Sequence, residues 1–283
     1  MGPQTVTTYR RRLAKVKWRD LIGMRPRDGL VECLHPVPWL AASFLLADRR
    51  LWPLAAIASF MFFLTALRLN HEAIHGNLGF RKSGHRLVLH GLSALMLGSN
   101  TAVAFNHLRH HRHLGTTEDV EGACGRMTLW QVLLEGPCFP LRMHMEAWRH
   151  GGASLRRRMT IDLSSNVMLT GAALATMAPA LLYHVGAMIV AQCLTALFAV
   201  WITHRECTDE EIARTQSSAV VNFLTYNMFL HLEHHLFPAV PVRRLGILAR
   251  RIAAAQPELA SKAQQVLPPF RIPDAVARIA RRA

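Results

Sequence analysis

The chain has 283 residues, room for one large domain or two small ones, and 51% of them are hydrophobic against 18% charged, a balance at the apolar end for soluble proteins that favours a membrane protein. Its formal net charge of +15 would suit a nucleic-acid binder, but in an apolar chain the same excess reads as Arg-rich loops on the cytoplasmic side of a membrane, and nucleic acid is set aside. Cys33, Cys124, Cys138, Cys193 and Cys207 form no CxxC pair, which argues against both a disulfide framework and a zinc finger.

Taken in order, residues 1–32 are basic, with Arg10-Arg11-Arg12, Lys15 and Lys17 and no long apolar run. They read as a solvated or lipid-surface segment without a secretory signal. Residues 31–47 are apolar apart from Glu32, His35, Pro36 and Pro38, and 51–69 are apolar almost throughout. The pair predicts a transmembrane hairpin turning at Asp48-Arg49-Arg50. His71 then stands where the second helix leaves the bilayer. Residues 87–105 are apolar but punctured by His90, Gly91, Gly98 and Asn100, which predicts an interfacial or partly inserted segment. A turn-rich acidic patch follows at Gly115–Glu121, and a broken surface helix is expected over 129–148, interrupted at Gly136, Pro137 and Pro140.

A second hairpin is expected from 163–182 and 185–202, with its turn at Tyr183-His184. The tail from Val242 reads as a surface helix followed by a looser end bearing Pro268-Pro269 and Pro273. Lys and Arg number eight in residues 1–35, eleven in 70–160 and eleven in 203–283, against Arg49 and Arg50 in the outer turn. The positive-inside rule places the N-terminus and both long segments in the cytoplasm. The expected fold is an all-α membrane protein, a single domain over 1–283, with four spans in two hairpins and a cytoplasmic helical cap formed by 70–160 and 203–283.

Three histidine clusters stand out from this frame: His71-Glu-Ala-Ile-His75, His107-Leu-Arg-His110-His111 and His231-Leu-Glu-His234-His235. A spacing of i, i+4 or i, i+3, i+4 puts each set on one face of a helix. An isolated histidine on an apolar helix is usually a satisfied core residue, which is the reading for His35, His85, His90, His144, His150 and His184. Clustering of this density points to metal. Neutral imidazole suits iron, zinc and copper, and so many imidazoles exceed what one ion can hold, so two ions are expected.

The boxes HEAIH, HLRHH and HLEHH, with Gly76 after the first, His113 after the second and the run from His234 to Pro241, resemble the integral-membrane fatty acid desaturase and hydroxylase superfamily over roughly residues 35–245. The resemblance implies two iron ions, O2 as co-substrate and a lipid acyl chain as substrate; with the Lys and Arg distribution, a bacterial inner membrane with the metal site facing the cytoplasm is expected. The resemblance also implies His204 as a further ligand, placed directly after the fourth span, and Asn227 as a contact through a metal-bound water.

Removing hydrogen from an unactivated methylene needs an oxidant stronger than any side chain, so metal and O2 must supply it. The chain carries no Gly-rich dinucleotide fingerprint and no haem-binding HPGG segment, His35-Pro36-Val37-Pro38 being only a partial likeness. Electrons are therefore expected from a separate ferredoxin-like or cytochrome-like protein. Glu72, Glu118, Asp119, Glu121 and Glu233 are candidates to orient the imidazoles, Glu233 foremost; Arg109 and Arg112 are expected to face away, toward lipid headgroups or an acidic donor.

Desaturation of a fatty acyl chain is the favoured outcome, with hydroxylation or ketolation of a lipid or carotenoid as the alternative on the same scaffold. HEAIH is also an HExxH sequence, so a zinc intramembrane metallopeptidase with Glu72 as base is the reading from another class, and a metal carrier a third.

Overall fold

The computed structural model describes residue 11, residues 13–207 and residues 211–267. Much of the basic run at residues 1–12 and the proline-bearing end from Pro268 lie outside the described residues. Among the described residues the fold is helical, with one isolated β-bridge between Thr215 and Gln265.

The first hairpin forms as its hydropathy requires. Helices α1 (Pro26–Leu34) and α2 (Pro36–Asp48) run on as one apolar rod of 23 residues. Arg50, at φ 59°, reverses the chain into α3 (Trp52–Ile74). At 1.5 Å per residue a 23-residue helix is about 35 Å long, more than the roughly 30 Å hydrocarbon layer. His71, about 28 Å along α3 from Trp52, thus stands at the far edge of such a layer, with only the last turn of the helix beyond it. Gly76, at φ +72°, terminates the helix in a conformation that L side chains rarely adopt.

Residues 82–113 form α4 (Lys82–Met96) and α5 (Asn100–His113), which meet at 114°. Leu97, at φ 54°, makes the break, and the Ser99 hydroxyl caps α5 by accepting the Ala102 amide at 3.2 Å. The bend folds the segment back on itself, so the second box meets the first at one end of the bundle. Helices α6 (Leu129–Glu135) and α7 (Phe139–His150) are the broken surface helix. They bury Val132, Phe139, Met143 and Ala147 and expose Trp130, Leu134 and Leu141 on the other face.

The second hairpin departs from the sequence reading. Helix α8 (Ala153–Thr176) ends at Met177, at φ 50°, and α9 (Pro179–Cys193) starts two residues later, so the turn is at Met177-Ala178 and not at Tyr183-His184. Proline at the first helical position and a left-handed residue just before it set the reversal. Tyr183 and His184 instead lie inside α9, where the Tyr183 and Ser59 hydroxyls are 3.0 Å apart and the His184 ring donates to the Leu95 carbonyl at 2.9 Å.

Two described helical rods are long and apolar enough to cross a membrane, or up to four if the bent pairs 82–113 and 179–204 each count as one span. Helix α8, expected to span over 163–182, is not among them. Arg156, Arg157, Arg158 and Asp162 load its first half with charge.

After α9 the helix widens into a π-helical turn, Ala196–Trp201, and closes in α10 (Ile202–His204). A short α11 (Ala219–Leu224) precedes α12 (His231–Leu236), α13 (Val242–Ala255) and α14 (Pro257–Lys262). The tail helix α13 does not lie free on a surface. Its Leu245, Leu248 and Ile252 pack in a core with Leu13, Val16 and Leu21 from the N-terminal segment, whose apolar residues are thus buried in protein. Arg251 fastens the two by paired bonds to the Asp20 carboxylate at 2.7 and 2.8 Å.

Candidate metal centre

Four structural sources bring the boxes together. The end of α3 supplies His71 and His75, α5 supplies His107, His110 and His111, the π-turn delivers His204, and α12 supplies His231, His234 and His235. They sort into two groups. His71, His75, His107, His111 and His234 form one, and His110, His204, His231 and His235 the other; within each, one ligand atom from every residue lies within 4.8 Å of the rest.

In the first group the Nε2 atoms of His71 and His234 stand 2.9 Å apart, those of His234 and His111 2.9 Å, His111 and His107 3.2 Å, and His107 and His75 3.1 Å. The second repeats the pattern: His110 to His204 3.2 Å, His204 to His231 3.0 Å, His231 to His235 3.1 Å.

These distances test the fit of a metal. Around an ion with bonds of about 2.1 Å, nitrogens at right angles stand about 3.0 Å apart and nitrogens at the tetrahedral angle about 3.4 Å. The observed edges match the right angle, and five donors in one group exceed the four of a tetrahedral zinc site. The set fits an ion of higher coordination such as iron.

Protonation points the same way. The Nδ1–H of His107 donates to Glu121 at 2.9 Å and that of His110 to Asp119 at 2.9 Å, which leaves their Nε2 lone pairs aimed inward. Lone pairs converging at such distances repel unless a cation lies between them. Burial, reinforced by neighbouring imidazoles, pushes the pKa values of His231, His234 and His235 well below the ordinary histidine value, so these rings are neutral and ready to ligate. Burial works to raise the Asp119 carboxyl, yet its bonds from His110, Gly122 and Gly115 hold it below the usual range.

The orienting carboxylates are therefore Asp119 and Glu121, and not Glu233. Glu233 accepts the Thr215 hydroxyl at 2.7 Å, and burial pushes its pKa up. Glu118 pairs with His113 at 3.1 Å. Glu72 accepts the Val242 amide at 3.1 Å, and the metallopeptidase reading, which uses His71 and His75, leaves the other seven gathered histidines without a role. Asn227, at φ 62°, makes no hydrogen bond to the nine histidines among the described residues.

Spacing alone did not reveal the π-turn that precedes His204. The approach it permits is close: a Cβ on Gly125 would lie 2.9 Å from the His204 Cβ, so only glycine fits there. A cavity opens beside the histidines. Phe63, Leu67, Met96, Phe139, Phe198 and Leu245 line its apolar walls, and His71, His107, His234 and His231 reach it from both groups.

Candidate helical spans, an apolar cavity and a paired histidine centre together fit a membrane-embedded, metal-binding protein. The family model for fatty acid desaturases matches residues 50–265, and the chain belongs to that family. It is thereby an integral-membrane oxidoreductase of desaturase or hydroxylase type, with metal-dependent oxygen chemistry and a lipid acyl substrate. Comparison with curated proteins gives no match, and comparison with solved structures gives none either.

Proposed function

We propose that the protein is an O2-dependent diiron desaturase that introduces a double bond into a fatty acyl chain. The observation that carries this reading is the apolar cavity whose wall includes histidines from both groups. An extended chain threaded there would present a methylene pair to the centre while the walls exclude water. In the overall balance the chain gives up two hydrogens, O2 accepts them with two electrons and two protons, and two waters leave.

In this reading the first group holds one iron and the second the other, His204 completing the second, with Asn227 reaching a bound water. Two irons, when bound, supply the oxidant that abstracts hydrogen. Asp119 and Glu121 keep the imidazoles of His110 and His107 turned inward, and their negative charge offsets part of the charge on the ions. Electrons come from a separate ferredoxin-like or cytochrome-like protein drawn to the basic side of the molecule. The excess of Arg around the boxes supports a cytoplasmic position for that side, in a bacterial inner membrane.

Hydroxylation or ketolation of a lipid or carotenoid would use the same cavity and differ in how the substrate radical is handled, which a small change in substrate position decides. Expression with a redox partner and mass spectrometry of total lipids separates the outcomes. Loss of two hydrogens is expected; gain of an oxygen would replace desaturation with hydroxylation. Purified active enzyme carrying stoichiometric zinc and no iron would overturn the diiron assignment.

A further inference from the structure

A second cavity, of about 590 Å³, lies on the far side of α5 from the metal ligands, bounded by the end of α3, by α4 and by the start of α8. Five cations line it: Lys82, Arg86, Arg109, Arg112 and Arg158. Glu146 pairs with Arg109 at 3.4 Å. Among the described residues no carboxylate comes within ion-pair distance of Lys82, Arg86, Arg112 or Arg158. Four cations gathered in one concavity without a counter-charge repel one another, and an anion seated among them would relieve that repulsion.

The floor is apolar, made by Leu89, Phe105, Leu108 and Leu155. The cations stand near the N-terminal ends of α4 and α8 and the C-terminal end of α5, where α3 also finishes, so they lie at the level of the interface. Farther along α8 the outward side chains turn apolar, Val167 being 72% exposed and Met168 74%, and on α4 Leu87, next to Arg86, is 73% exposed.

We propose that this cavity binds the phosphate of an anionic glycerophospholipid, the guanidinium forks of Arg86 and Arg112 holding the phosphate, the floor covering the glycerol and the tails running along α4 and α8. The shared chemistry is a phosphate anion, and the apolar floor with the exposed apolar faces beyond it selects the lipid-borne form over free phosphate. An acidic protein would need to push a convex apolar tip into the concavity to use the same floor. The site is independent of which reaction the metal centre performs.

The full chain in detergent, examined by native mass spectrometry, tests this with phosphatidylglycerol, phosphatidylcholine and inorganic phosphate as probes. One phosphatidylglycerol should be retained at least about tenfold more tightly than phosphatidylcholine. Arg86→Gln with Arg112→Gln should abolish the preference, Arg86→Lys with Arg112→Lys should restore part of it, and Arg149→Gln with Arg157→Gln, outside the cavity, should leave it unchanged. If the first pair disturbs folding, Lys82→Gln with Arg158→Gln removes the same charge from other walls and should give the same loss. Equal retention of phosphatidylglycerol in both charge-removing pairs would overturn the site. Displacement by millimolar inorganic phosphate would assign the cavity to the free anion and overturn the lipid. Unchanged lipid retention with loss of turnover driven by an acidic donor protein would overturn it in favour of protein docking.

Discussion

The two histidine groups are built from the same boxes yet differ in closure. In the five-membered group His71, His75 and His111 are only partly buried, and three members reach the apolar cavity; in the four-membered group every histidine is buried and only His231 reaches it. The difference follows from backbone origin. The first group forms where α3 emerges from the apolar zone beside α5 and α12. The second forms where the helix that follows the π-turn lays His204 against Gly125. Two ions held this way would share a scaffold but not an environment, one mostly beside the apolar cavity and the other also beside a smaller pocket lined by His110, Asp119 and His204.

The sharpest way to break this comparison is to empty each group in turn. His234→Ala should strip the first group and His110→Ala the second, each losing about half the bound iron and essentially all turnover, as read by metal analysis and lipid conversion. An unchanged metal content in both variants would refute the partition. Chelation should lower the unfolding temperature of the parent protein by more than that of either variant, because metal that binds only the folded state stabilises it.

The next effect belongs to the carboxylates. Glu121→Ala acts on the first group and Asp119→Ala on the second, and each should cost about 10–100-fold in metal affinity or activity. Glu233→Gln keeps a partner for Thr215 and should cost far less than Asp119→Ala in the same iron titration; a larger loss would return Glu233 to the orienting role.

The smallest effect is expected away from the histidines, at Asp20. The bond from Arg251 holds this exposed carboxyl below its ordinary pKa. Its stabilising contribution is present above the unfolded-state value and disappears as pH falls through the folded one. Asp20→Asn should flatten that acid-limb dependence of thermal unfolding slightly and leave iron content untouched.

The gathering of the histidines could be read because imidazoles three and four residues apart must share a helix face, and the first hairpin because a long unbroken apolar run has few alternatives. Orientation was harder. Glu233 lies two residues from His231 on a short helix, which turns it to the opposite side, whereas Asp119 and Glu121 come from a loop that doubles back after the second box, and no periodic pattern announces such a return. The second reversal was misplaced because Tyr183 and His184 look like a polar interruption, although each has a buried partner. The stronger signal was Pro179, which suits the start of a helix and not its interior. The sharp break at Leu97 left little trace beyond Gly98 and Ser99.

The widened coil between Ala196 and Trp201 makes the placement of His204 a matter of residue count. Each residue advances a helix by about 100°, so deleting one from this stretch would swing the imidazole round to another side even if every remaining side chain were kept. The segment should therefore accept changes of amino-acid type far more readily than a change of length.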